Sequence, residues 1–272
     1  MVINQFEAGV YMKFKVALCM IFTFSLVFCG PSGKKTKDDV VEGYDYKKAL
    51  QNYQIGCNYL NDQDLVSAVK YLKMAVEMEP ENYRFNHWLG VAFSLNGRID
   101  DGIASLNRAL QLNPESTESY NYLATIYTEL GKYAEAEEYI KIVLADEAYP
   151  QPDFAYFNLG ILKQKEGKLL EAVAAFNKCV KENPKFYRAY YTLGNLYEQD
   201  LNYEAALHFF SKAEPGYLDD YTLYFKIGKM NYKLKRYSEA KRYLSQVTIL
   251  FPPPAIDKAT QDILTAINKH GY

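Results

Sequence analysis

The chain has one tryptophan, three histidines and four cysteines among 272 residues, and its 31 basic and 33 acidic side chains nearly cancel. Each scarcity removes a class of function. A formal net charge of -2 gives no field that would draw a polyanion, so nucleic acid is not an expected partner. Cys19, Cys29, Cys57 and Cys179 form no Cys-x-x-Cys pair and no dense framework, which argues against a zinc site and a disulfide-stapled fold. His87, His208 and His270 stand far apart, with no His-Glu-x-x-His pair and no Gly-x-Ser-x-Gly elbow in the chain. Glu135, Glu137 and Glu138 cluster, but at a spacing that suits a solvated helix face better than acid/base chemistry. Only two residues separate Gly30 from Gly33, where a phosphate loop needs four between its glycines. The sequence therefore predicts no catalytic residue, no metal, no cofactor and no small-molecule substrate.

What is abundant is apolar and aromatic: 49% hydrophobic residues, 26 tyrosines and 15 phenylalanines, ample for a buried core. The apolar residues are organised by a repeat. Gly56, Gly90, Ala124, Gly160, Gly194 and Gly228 follow one another at intervals of 34, 34, 36, 34 and 34 residues. Twelve residues after each comes a second small residue: Ala68, Gly102, Ala136, Ala172, Ala206 and Ala240. Two small positions of this kind let paired helices approach closely. Large apolar residues recur with the same period at Leu72, Leu106, Ile140, Phe176, Phe210 and Leu244. Their companion slot holds Ala75, Ala109, Val143, Cys179, Ala213 or Val247, so Cys179 is read as packing and not as a reactive thiol. Cys57 lies three repeats away from it, and no bridge between the two is expected. Gly97, Gly131 and Gly167 stand where a first helix must stop in a left-handed turn. Pro80, Pro114, Pro184 and Pro252 close second helices. Pro150 comes late and Pro215 early, which predicts a long third linker and a short second helix in the fifth repeat.

The period and these positions resemble the tetratricopeptide repeat family. That resemblance implies an all-α, right-handed superhelical solenoid of six helical hairpins, at 49–82, 83–116, 117–150, 153–186, 187–220 and 221–254. A capping helix over 255–272 would close the exposed end of the array. In this family the first helices line a concave groove that binds protein partners, chiefly through the fifth, ninth and twelfth repeat positions. Carried over, the groove candidates are Tyr53, His87, Val91, Asn121, Thr125, Phe157, Ile161, Gln164, Arg188, Tyr191, Asn195, Phe225, Lys229 and Tyr232. The mixture suits a peptide anchored by apolar side chains, with polar groups fixing its register. The Lys and Asn arrangement that grips a C-terminal carboxylate in some family members is missing. Charge is uneven along the array: residues 117–150 carry seven acidic and two basic side chains, and 221–254 carry seven basic and one acidic. That basic end suits an acidic partner or anionic lipid.

The N-terminus reads as an address. Lys13 and Lys15 precede an apolar run from Val16 to Phe28, which has the layout of a secretory signal peptide over 1–28 and is short for a membrane span. Met12 makes a more natural start than Met1. Leu26, Val27, Phe28 and Cys29 resemble the lipobox of bacterial lipoproteins, although Phe28 stands where a small residue is usual. The resemblance implies acyl chains on Cys29 that hold the protein at a bilayer, with 29–48 as a flexible tether. A simple cleaved signal and an uncleaved anchor are the alternatives. The expected whole is a non-enzymatic scaffold lipoprotein of the bacterial envelope, at the outer membrane and facing the periplasm, similar in architecture to pilotins or to adaptors of envelope enzymes. The alternatives are a structural, secreted or surface-exposed protein without a dedicated peptide ligand, and a non-catalytic subunit of an envelope enzyme complex.

Overall fold

A computed structural model describes residues 44–269 and 271. The leader 1–28, the start at Met12, the lipidation residue Cys29 and the tether up to residue 43 lie outside the described residues. Among the described residues every regular element is helical, and no helix is long and apolar enough to cross a membrane.

Six hairpins follow one another: α1 (Tyr44–Asn61) with α2 (Leu65–Met78), α3 (Tyr83–Leu95) with α4 (Ile99–Leu112), and α5 (Thr117–Glu129) with α6 (Tyr133–Ala145). Then come α7 (Pro152–Lys165) with α8 (Leu169–Glu182), α9 (Tyr187–Gln199) with α10 (Tyr203–Ala213), and α11 (Tyr221–Lys233) with α12 (Tyr237–Ile249). Helix α13 (Pro254–Lys269) closes the series. The chain forms two compact units, one ending at Tyr149 and the other beginning at Pro150. The first holds α1 to α6 and the second α7 to α13.

In five of the six hairpins a glycine of the first helix receives a large side chain of the second. A Cβ added to Gly56, Gly90, Gly194 or Gly228 would come within 2.5 to 2.7 Å of Leu72, Leu106, Phe210 or Leu244. One on Gly160 would strike the Phe176 ring in the same way. These receiving side chains are fully buried, so the glycines exist for close approach and the large residues for filling it. In the second unit Phe210 lies in a cluster with Ile227 and Met230, and Phe176 in one with Leu193 and Leu196. Cys179 is buried in the latter cluster as a free thiol, and burial pushes its pKa up, as a packing role requires.

The turn inside each hairpin has one geometry in all six repeats. Gly97, Gly131 and Gly167 adopt φ of 83°, 74° and 79°, and at the equivalent place Gln63, Leu201 and Lys235 adopt 61°, 58° and 60°. The next residue then donates back across six residues, as in Arg98 N to Phe93 O at 2.8 Å and Asn202 N to Tyr197 O at 2.9 Å. This closes the helix end. The glycines were legible in the sequence. The three non-glycine residues were not, because the repeat imposes on them a left-handed conformation that their side chains oppose.

Elsewhere the pattern is obeyed by different means. Where most repeats place an aromatic ring late in the first helix, α7 has Lys163, which is buried and bonds Glu166 at 3.0 Å. Asn231 at the same place in α11 is buried and donates to Ile227 O at 3.0 Å. Helix α1 begins at Tyr44, inside the stretch expected to be tether up to residue 48. Its early turns carry Ala49, Leu50 and Tyr53, which pack with Ala75 and Phe85. In the fifth repeat α10 is short, and a 3-10 turn at Glu214–Gly216 carries Pro215. Helix α13 buries Ile267 beside Ala240 and Leu244, with Ile263 and Leu264 packed against them.

Replacing an exposed non-glycine residue of the turn by glycine relieves about 1–2 kcal/mol of left-handed strain against about 0.5–1 kcal/mol of added chain entropy. Leu201 is 68% exposed and has little packing to lose. Leu201→Gly is therefore expected to stabilise the chain by about 0.5–1 kcal/mol in urea unfolding, and Gly131→Ala to destabilise it by about 1 kcal/mol. The same sign for both changes would contradict the strain argument.

Candidate functional site

The candidates of the first unit lie mainly within the packing between first helices. Tyr53 stacks on Phe85 of α3 with ring centroids 4.9 Å apart, and burial pushes its phenol up to about 12. Val91 and Thr125 are buried and present no usable surface, and the Thr125 hydroxyl donates to Asn121 O at 3.2 Å. Asn121 donates through Nδ2 to the Tyr149 hydroxyl at 3.3 Å. Tyr149 comes from the long third linker, where Pro150 marked the departure from the repeat.

His87 sits between α3 and α5. Its Nδ1 is 2.9 Å from Ser119 Oγ, which is 2.8 Å from Ser116 Oγ. Its ring meets Trp88 edge-on at 5.4 Å and Tyr122 at 6.4 Å. Burial lowers its pKa to about 4, and no carboxylate among the described residues opposes this.

The second unit gathers most of what remains. Phe157 is only 2% exposed, set between Phe176 and Phe186 with the Arg188 guanidinium 4.9 Å from its ring centre. It supports the surface from beneath and cannot anchor a ligand directly. Ile161 and Gln164 are half-buried, and Ile161 packs with the Phe157 cluster. On α9, Arg188, Tyr191, Asn195 and Glu198 follow at spacings of three, four and three, which puts them on one face. Tyr191 lies flat against Tyr217, 5.2 Å away, and edge-on to Phe210 at 5.8 Å. Burial pushes the Tyr191 phenol up to about 12, reinforced by the nearby Asp220, Tyr217 and Glu198, and Asn195 hydrogen-bonds it.

Glu198 receives Lys226 and Lys229 of α11, each at 2.8 Å. Burial alone would raise its pKa, but the two ammonium groups more than compensate, and the carboxylate is held below its ordinary value. Phe225 is half-buried and packs near Ile263 and Leu264 of α13. Tyr232 packs beside Tyr237 at 6.0 Å.

Tyr217 is the participant that the repeat pattern misses. The 3-10 turn presses Gly216 onto the Tyr187 ring and lays Tyr217 over Tyr191. Pro215 was the only signal of it. Among the described residues no cluster of His, Cys, Asp and Glu has the makings of a metal site.

The fold is a solenoid of helical hairpins, and in the second unit the first helices carry mixed aromatic and charged side chains. Tetratricopeptide repeat models match residues 95–151, 157–221 and 222–253, more than half of the chain. The chain belongs to the tetratricopeptide repeat family, whose domains bind protein partners. The solved structure of PilW, described as a widely conserved type IV pilus biogenesis factor, aligns with a TM-score of 0.68 at 22% identity, over 78% of this chain and 97% of PilW. PilF of Pseudomonas aeruginosa aligns with a TM-score of 0.68 at 18% identity, over 80% of this chain and 98% of PilF. At such identities the likeness concerns the fold alone. A TPR repeat-containing protein of Methanocaldococcus jannaschii is 28% identical over 158 residues, 52% of this chain and 26% of that protein. The chain spans between 6% and 31% of the lengths of the curated relatives it matches.

The His87 environment fixes a pH dependence. The imidazole binds its proton less well folded, at about 4, than unfolded, at about 6.5. Its contribution is complete above about pH 6.5 and is lost as pH falls toward 4, at up to about 1.4 kcal/mol per pH unit. Urea unfolding followed by the fluorescence of Trp88, the single tryptophan, is expected to show this loss. His87→Gln should flatten the slope in that window, and an unchanged slope would assign it to other groups.

Proposed function

We propose that the protein is a non-enzymatic scaffold of the bacterial envelope, which holds a protein partner on the first-helix face of its second unit. The supporting observation is the run of half-buried aromatic, amide and charged groups at successive first-helix positions, from Arg188 through Tyr191, Asn195 and Glu198 to Lys229 and Tyr232. Half-buried aromatics beside polar groups are what a peptide-binding face needs. The fold likeness extends over nearly all of PilW and PilF, and a role in assembling an envelope machine such as a pilus is the particular form of scaffold that this likeness favours. Anchorage through acyl chains on Cys29, after cleavage of the 1–28 leader, would place the array at a bilayer surface.

A second reading has a specific observation behind it. In the first unit Tyr53, His87 and Asn121 are engaged by Phe85, Ser119 and Tyr149, so that face is occupied by its own side chains. A purely structural protein would look like this throughout.

Two experiments separate the readings. Affinity capture from the source cell with the full chain should recover a partner that is lost with Tyr191→Ala and with Tyr232→Ala but kept with Tyr53→Ala. Equal recovery with all three, or recovery of nothing, would favour the structural reading. For the anchor, Cys29→Ala is expected to shift the protein from the membrane fraction to the soluble one, and unchanged membrane association would refute lipidation at Cys29.

A further inference from the structure

Arg188 is the second residue of α9, half-buried against the Phe157 ring. Its guanidinium donates no hydrogen bond and forms no ion pair among the described residues. An arginine brings five donors in a rigid fork, and here they are left to solvent or to a ligand. Arg188 also lies near the start of a helix, where the positive end of the α9 dipole favours an anion. Burial draws its pKa down from the ordinary arginine value, and Tyr217 opposes this weakly.

Among the described residues no carboxylate pairs with the guanidinium. The carboxylates of this face are committed, Glu198 to Lys226 and Lys229, and Asp220 to the Leu223 amide at 2.8 Å as the cap of α11. The floor beside Arg188 is aromatic, formed by Phe157 beneath it and by Tyr191 under Tyr217. The irregular turn of the fifth repeat delivers Tyr217, so this arrangement belongs to this repeat and not to the general pattern.

We propose that Arg188 is the receptor for a carboxylate side chain of an acidic peptide segment, whose neighbouring apolar residue rests on the Tyr191 and Tyr217 rings. This deepens the scaffold reading and rests on it. An aspartate or glutamate would accept from the guanidinium in a bidentate pair, next to the positive end of α9.

The test is a random dodecapeptide library displayed on phage and panned against the full chain in detergent micelles. The wild-type chain is expected to select peptides with an acidic residue beside an apolar one. Synthetic copies of those peptides with both termini blocked should lose affinity roughly ten- to hundredfold when the acidic residue becomes its amide, or when the chain carries Arg188→Gln. Unchanged affinity in Arg188→Gln, or binding only by peptides with a free C-terminal carboxylate, would overturn the assignment. Peptides that ignore Arg188 but are lost with Tyr191→Ala would overturn it while leaving the scaffold reading standing. Selection of no peptide at all would count against both. Without ligand, Arg188→Met should melt close to the wild type, since the methionine keeps an apolar stem against the Phe157 ring; melting several degrees lower would make Arg188 an element of the fold and overturn the proposal.

Discussion

The contact on which the rest of the structure depends is the seating of a Leu or Phe of the second helix against a glycine of the first, present in five of the six hairpins; the third has Ile140 and Ala124 at these places. Where Phe210 meets Gly194, or Leu244 meets Gly228, there is no room for even one methyl group. This contact sets the spacing within a hairpin, and that spacing requires the same left-handed turn every time. The constraint is strong enough to hold Leu201 and Lys235 in a conformation they disfavour. It also determines which faces remain. Once the second helices are committed to filling, the stripe of α9 that carries Arg188, Tyr191, Asn195 and Glu198 is left to do something else.

Much of this could be read from residues alone, because the small and large positions recur at fixed spacing and packing admits few solutions. The hairpins, the packing role of Cys179 and the shortening of α10 at Pro215 follow from that recurrence. The binding face was less legible. An aromatic at the fifth repeat position carries the same apolar signature whether it points outward, as part of Tyr191 does, or is covered, as Phe157 is. Val91 and Thr125 fall on the right positions and are nevertheless buried. What covers a fifth position comes from segments outside the period: Tyr149 from the long third linker over Asn121, and Tyr217 from the 3-10 turn over Tyr191. A repeat pattern describes the regular part of a solenoid and is silent about its exceptions.

Those exceptions shift the chemistry of the surface. With most aromatic rings engaged by neighbours, apolar area is a smaller part of what the second unit offers than the sequence implied. Glu198 already answers two lysines, whereas Arg188 rests on the Phe157 ring and has no hydrogen-bonding acceptor among the described residues; the acidic ligand proposed for it joins the apolar anchors expected from sequence. The basic content of residues 221–254, which from sequence alone suited either protein or lipid, includes Lys226 and Lys229 on this face.

The central claim is that the first helices of the second unit carry the binding function and that the second helices only support them. Hydrogen exchange of the full chain, with and without a bound partner or selected peptide, tests this directly. The account predicts added protection concentrated in α7, α9 and α11, strongest around Arg188 to Asn195. Protection concentrated in α8, α10 and α12, with the first helices unchanged, would contradict it.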